Sequence, residues 1–374
     1  MKLYLHIPFC KNKCLYCDFK SFPCSKDDLI NEYLDCLGKE IALAGNKFCD
    51  REITSVYFGG GTPSLLNVEQ FTKIFNRLKQ SFNIPSNIEI TVECNPESVT
   101  AEKLSAMRSL GVNRISLGVQ SLSDNNLTAI GRVHNRTTAL EKIKLVKEYF
   151  SNLSVDFIVG LPFDADEIII DELTAVAPFV EHISVYMLSV ESGTPLEKLV
   201  NEGKMIVADC DKQMDLFDTA CKTLEALGFE RYEISNFSKN GKRSNHNTGY
   251  WTREEYLGLG LNASSLVKNF TKNDHDEFRM KNSDNIKKYQ LDCRNSSDYF
   301  ELYREINVLT EDEIFEETVM LKLRLSDGID KRILGDKAEV LLTKFKDYVV
   351  ENDGFIALNG KGMDVMNHIL VEIL

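Results

Sequence analysis

Strand-like and helix-like segments alternate six times before residue 190, and this alternation limits the chain to few architectures. Residues 3–7 are a short apolar run. Helical spacing follows at Leu29, Tyr33, Leu34, Leu37 and Ile41, behind start signals at Ser25 and Asp27. A second strand, 55–58, breaks at Gly59-Gly60-Gly61-Thr62-Pro63, and Phe71, Ile74, Phe75 and Leu78 then repeat at helical spacing. Strands are expected at 88–92, 114–119, 155–159 and 183–188. Between them lie helical patterns at 100–110, stopped by Gly111, at 137–150 and at 166–179. Consecutive β-α units predict an α/β fold: a parallel sheet, helices outside, curled into a partial (β/α)6 or complete barrel.

Beyond residue 190 the pattern changes. Residues 209–227 read as an amphipathic helix with Met214, Phe217, Cys221 and Leu224 on one stripe, stopped by Gly228. Strand-like runs occupy 229–237 and 256–267. The stretch 268–297 is rich in Asn, Lys and Asp and reads as a linker, which divides the chain into a core of 1–267 and a C-terminal unit of 298–374. Helices at 311–325 and 333–350, a short strand at 354–358 and a terminal helix make that unit small and mainly helical, with a β wing.

Composition excludes several classes of function. Of 374 residues 43% are hydrophobic and 27% charged, the balance of a chain with a sizeable core. A net charge of −13 with no basic run argues against a nucleic-acid partner. No apolar stretch is long enough for a transmembrane span, and residues 1–6 lead into Pro8 and spaced cysteines rather than a signal core. A cytoplasmic location is expected.

Cysteine placement is sharper. Cys10, Cys14 and Cys17 form a C-x3-C-x2-C run, while Cys24, Cys36, Cys49, Cys94, Cys210, Cys221 and Cys293 are scattered and most of them read as small buried hydrophobes. Three thiolates on one loop wrap a single metal centre but cannot complete the four-cysteine shell of an electron-transfer [4Fe–4S] cluster. They suit a cubane with three irons held by protein and the fourth open to a ligand. His6 with the three cysteines offers a Cys3His zinc site as the alternative, and coincidence is the third reading. Other polar features fall at successive strand ends: the glycine run after strand two, Glu93 after strand three, Gln120 after strand four and Asp156 in strand five. Ligands collect at the carboxyl ends of barrel strands. The glycines there allow close backbone approach and are expected to expose N–H donors.

The segment from Tyr4 to Cys17 resembles the radical S-adenosylmethionine (SAM) superfamily, in the branch that holds anaerobic coproporphyrinogen III oxidase and the HemW haem chaperones. Further matches are Tyr57-Phe58-Gly59-Gly60-Gly61-Thr62-Pro63-Ser64, Val92-Glu93-Cys94-Asn95-Pro96, Ser116-Leu117-Gly118-Val119-Gln120-Ser121 and Gly131-Arg132-Val133-His134-Asn135. The resemblance runs to about residue 260 and continues more loosely to the C-terminus. It implies that Cys10, Cys14 and Cys17 ligate a [4Fe–4S] cluster whose open iron takes SAM. It implies SAM contacts at Tyr4, Gly60 and Glu93, with Tyr16, Gly61, Thr62, Gln120, Arg132 and Asp156 serving a second SAM or the adjoining pocket.

Three features place the chain nearer the chaperones than the oxidase. The oxidase pattern has a further cysteine two residues after the third; here that position is Phe19. The oxidase carries a long N-terminal extension, whereas Tyr4 here follows three residues. The run Ser244-Asn245-His246-Asn247-Thr248-Gly249-Tyr250-Trp251 resembles the His-Asn-x-x-Tyr-Trp segment of the chaperones. The resemblance implies haem contact at His246 and delivery of haem to acceptor haemoproteins, membrane-associated respiratory enzymes among them, by a monomer or homodimer. The alternative activity is oxidative decarboxylation of coproporphyrinogen III. The loop Gly258-Leu259-Gly260-Leu261-Asn262-Ala263-Ser264 lacks the histidine that relatives commonly carry there.

Overall fold

Alternation along the strands sorts apolar residues outward against helices and polar residues inward. The computed structural model describes residues 1–24, 26–269, 276–302 and 304–374. Six parallel strands, β1 (Lys2–Ile7), β2 (Ser55–Gly60), β3 (Glu89–Cys94), β4 (Arg114–Gln120), β5 (Asn152–Val159) and β6 (His182–Met187), lie side by side in that order. Leu3, Leu5, Val56, Phe58, Val92, Ile115, Leu117, Val155, Ile183 and Val185 belong to one core with the surrounding helices. The opposite face carries Tyr4, Tyr57, Thr91, Arg114 and Asn152, cross-strand neighbours along one row. Residues two apart share a face of a strand, so Glu93, Ser116 and Ser154 form the next row.

The helices expected between strands are present: α1 (Asp27–Lys47), α2 (Val68–Ser81), α3 (Ala101–Leu110), α4 (Arg136–Tyr149) and α5 (Asp166–Val176). Asn67 starts α2 through a capping box with Gln70, and Thr100 caps α3, which ends at Gly111 with φ +112°. Lys26 occupies the cap position of α1; Ser25 lies outside the described residues. Helix Cys210–Ala226 buries Leu216, Phe217, Ala220 and Leu224, a stripe rotated from the expected one, with Met214 and Cys221 only half-buried.

Within the expected linker at 268–297, residues 276–297 instead contribute ordered structure, while 270–275 lie outside the described residues. Strand Glu277–Asn282 pairs antiparallel with Ser264–Lys268, and Arg304–Val308 pairs beyond it, extending the sheet on the β1 side. Helix Ile286–Asn295 packs on α1 with Tyr289 and Cys293 buried. Polarity misled because these polar groups are satisfied inside: fully buried Glu40 accepts hydrogen bonds from Asn282 Nδ2 (2.8 Å), Tyr289 OH (2.6 Å) and Arg304 Nη2 (2.8 Å). A second core of Val319, Leu323, Ile329, Leu341, Phe345, Ile356 and Ile369 lies in the C-terminal residues. The expected helix over 333–350 is two short helices, Lys331–Leu334 and Lys337–Lys344, parted at Gly335, and its end begins the strand Val349–Asn352. No described helix is long and apolar enough to cross a membrane.

Candidate functional site

The cysteine loop leaves β1 at Pro8 and is held at both ends. Phe9–Cys10 pairs with Phe22–Pro23, and the Cys24 N–H donates to Cys10 O (2.9 Å). At the tip, the Leu15 N–H donates to Ile130 O (3.0 Å) and Leu15 O accepts from the Leu196 N–H (2.9 Å). The loop therefore roofs a cavity of about 360 Å³ at the carboxyl ends of the strands, within the range of small-molecule sites. Cys10, Cys14, Cys17, Tyr16, Gly60, Gly61, Thr62, Glu93, Gln120, Arg132 and Asp156 all line it. Strands β2 to β6 contribute to one wall, so the sheet curls around this space.

Glu93 is central to its electrostatics. Oε1 accepts from Tyr57 OH (2.8 Å) and Oε2 from the Gly60 N–H (3.2 Å). Burial outweighs these bonds and pushes the carboxyl up to about 7. Burial also raises Asp156, against hydrogen bonds from Ser184 and Ser116; Ser116 Oγ lies 3.0 and 3.3 Å from its two oxygens. A cationic ligand would draw both carboxyls toward ionisation. Gln120 closes β4 at φ +71°, where the pairing with β5 shifts register; such backbone clusters at functional sites. Arg132 donates through Nη1 to Cys14 Sγ (3.4 Å) and through Nη2 to Asn95 Oδ1 (2.9 Å) and to Gly118 O. Its Nε is buried without a partner.

Four expectations need correction. The glycine loop offers no free amides at its centre: Gly60 N–H is spent on Glu93, Gly61 N–H donates to Ile7 O (2.8 Å) and Thr62 N–H to Phe9 O (2.8 Å). Its glycines are required for close packing, since a Cβ on Gly60 (φ +110°) would stand 2.6 Å from the His6 ring. Second, His6, the fourth ligand of the zinc alternative, has both ring nitrogens committed elsewhere. Its Nδ1 bonds with Tyr4 OH (3.0 Å) and its Nε2 with Lys20 O (2.9 Å), and among the described residues no three His, Cys, Asp or Glu converge on a single ion. Third, Cys49 and Cys210 are exposed rather than buried. Fourth, His246 is not open to haem. Its ring is fully buried, with Nδ1 bonded to Ser55 Oγ (2.8 Å) and Nε2 to Tyr250 OH (2.9 Å).

Tyr4 faces a neighbouring cavity of about 510 Å³, which shares Gly60, Glu93, Asp18 and Phe19 with the first. Tyr250, Trp251 and Tyr256 line it too. The chaperone-like segment thus presents its aromatics to a cavity while its histidine braces them from behind. Sequence reading gave no role to Tyr57, Asn95 or Ser116. Polar residues two apart in strands whose other face is apolar are the signal that finds Tyr57 and Ser116.

Three thiols on a tethered loop above a carboxylate-lined space fit the donor set of a [4Fe–4S] cluster. This arc, with a thiol loop after its first strand, is the architecture of the radical SAM superfamily, whose model matches residues 4–175. Across the chain, the haem chaperone HemW of Bacillus subtilis is 33% identical over 337 residues, covering 89% of this chain and 86% of its own. HemW of Haemophilus influenzae is 30% identical, covering 99% and 97%. The structure of coproporphyrinogen III oxidase (HemN) from Escherichia coli superposes with a TM-score of 0.83 over 99% of this chain and 89% of that one, at 21% identity. The chain belongs to the HemW family.

Proposed function

We propose that this protein is a haem chaperone that holds a [4Fe–4S] cluster and SAM in one cavity, binds haem, and passes haem to acceptor haemoproteins in the cytoplasm. The observation that carries this reading is the adjacency of two cavities sharing Gly60 and Glu93, one roofed by thiols and the other walled by Tyr250, Trp251 and Tyr256. Aromatic faces suit a flat macrocycle, and the HemW relatives extend along nearly the whole chain. Membrane-associated respiratory enzymes are candidate acceptors, and the working unit is a monomer or homodimer.

Cys10, Cys14 and Cys17 would hold the cluster. When bound, cluster and SAM supply one-electron cleavage of a sulfonium carbon–sulfur bond. Glu93, shared by both cavities, and Tyr4, on the second, would orient the nucleotide. Asp156, hydrogen-bonded by Ser116, lines the first cavity with Gln120, Arg132, Gly61, Thr62 and Tyr16, and these residues would serve the nucleotide or the space adjoining it.

The test is anaerobic reconstitution followed by a haem titration and an assay on coproporphyrinogen III. Iron and sulfide near four each per chain, haem bound, and no protoporphyrinogen formed are expected. Decarboxylation of the porphyrinogen would establish the oxidase activity instead, and protein without iron would sink both.

A further inference from the structure

Arg132 stands beside a cysteine of the cluster loop because two loops are tied together. Helix Asp124–Ala129 ends at Ile130, where Gly131 turns the chain at φ +76° and the Arg132 N–H donates back to Leu127 O (2.8 Å). Ile130 O accepts from the amide of Leu15, the residue after Cys14, and a Cβ on Gly131 would meet Leu15 Cγ at 3.1 Å. The two loops are in close contact where Arg132 begins.

The guanidinium is locked on its far side. Nη2 donates to Asn95 Oδ1 and Gly118 O, while Asn95 Nδ2 donates to Thr62 Oγ1 (3.0 Å). With that edge committed to two acceptors, the planar fork leaves Nη1 facing Cys14 Sγ at 3.4 Å. This is within reach of an N–H···S bond, and a fork held at one edge keeps its direction.

We infer that Arg132 tunes the cluster by donating a charged hydrogen bond to the Cys14 sulfur, a role separate from contact with SAM. The inference rests on the cluster reading of Cys10, Cys14 and Cys17. Hydrogen bonds to ligand sulfurs and nearby positive charge set the reduction potential of iron–sulfur clusters. Both withdraw electron density from the thiolate and favour the reduced cube, so Arg132 raises the potential. Lysine keeps the charge but not the fork that holds the donor in place.

The experiment is a redox titration of the reconstituted full chain without SAM, comparing wild type with Arg132→Met and Arg132→Lys, with iron and sulfide measured in each sample. Arg132→Met should keep its iron and shift the midpoint to lower potential, with Arg132→Lys between it and wild type. Equal midpoints at equal cluster content would overturn the inference. So would a loss of SAM affinity with the SAM-free midpoint unmoved, since that is the signature of nucleotide contact alone. If Arg132→Met takes up no iron, the lysine variant decides by the same criterion. Wild-type protein that takes up no iron refutes the cluster reading itself, a separable failure.

Discussion

The His246 ring stacks on Tyr57, with centroids 4.9 Å apart and planes at 29°. Tyr57 in turn donates to Glu93, so His246 reaches the carboxylate shared by the two cavities through one aromatic neighbour. Both imidazole nitrogens are bonded, to Ser55 and Tyr250. Truncation leaves the buried Ser55 hydroxyl and the half-buried Tyr250 hydroxyl without this partner, and a void under Tyr57. We expect His246→Ala to cost about 2–4 kcal/mol of stability in cluster-free protein. Thermal melts check this, and a loss of haem affinity with an unchanged Tm would return His246 to the haem site.

Gly60 gives a test of the packing role. Alanine there must adopt φ +110° and push its methyl group against the His6 ring. The backbone alone is worth about 1–3 kcal/mol, and the collision adds to it. Gly60→Ala should therefore lower Tm and iron uptake together. Gly360→Ala, with open space around its Cβ, serves as the control and should melt like wild type.

Glu172 sets a pH dependence away from the cavity. Its Oε1 accepts from Ser121 Oγ (2.6 Å) and the N–H groups of Leu122 (2.7 Å) and Ser123 (2.8 Å), anchoring the chain just after Gln120. Burial, opposed by these bonds, raises its carboxyl from 4.5 to about 7. A raised carboxyl means the folded protein takes up a proton that the unfolded chain has released. Its contribution is intact below about pH 4.5 and is lost as pH rises through about 7, at most about 3 kcal/mol. Glutamine keeps a carbonyl oxygen for the three donors and removes the charge. Glu172→Gln should gain stability over wild type at pH 8 and none at pH 4; unfolding free energies from urea titrations that change equally with pH in the two proteins would contradict the assignment.

Arg304 and Glu40 form a buried pair at 2.8 Å, 2% and 0% exposed. The same carboxylate takes the Gly260 N–H (2.8 Å), close to Asn262 and Ala263 on the wall of the second cavity. Removing one member strands the other charge, at about 3–5 kcal/mol. Arg304→Leu should melt earlier, and hydrogen exchange should quicken first in Ile286–Asn295. Protection left at the wild-type level there would show that the pair does not hold the extension in place.

The six-unit alternation was legible because each strand's outer face is apolar and each helix carries its own stripe and stop signals. The cysteine loop was legible because its donors are contiguous. The order at 276–297 was not, since Glu40 in α1, more than 230 positions earlier in the chain, satisfies Asn282 and Tyr289 from a distance that local composition cannot show. The same holds for His246. Its neighbours in sequence suggested haem contact, whereas its partners Ser55 and Tyr57 come from β2. The roles of the glycine amides were also beyond the sequence, because Ile7, Phe9 and Glu93 capture them only once β1, β2 and β3 are side by side.

Parallel pairing stops at β6 on one side and, on the other, one strand beyond β1, at Tyr256–Leu259; antiparallel strands follow at both ends. A full ring of eight strands fills its own lumen with side chains. An incomplete one keeps a lengthwise opening, so a guest broader than the lumen can enter edge-on without any strand parting. Admission is then governed by whatever covers that opening, and the strands themselves need not breathe.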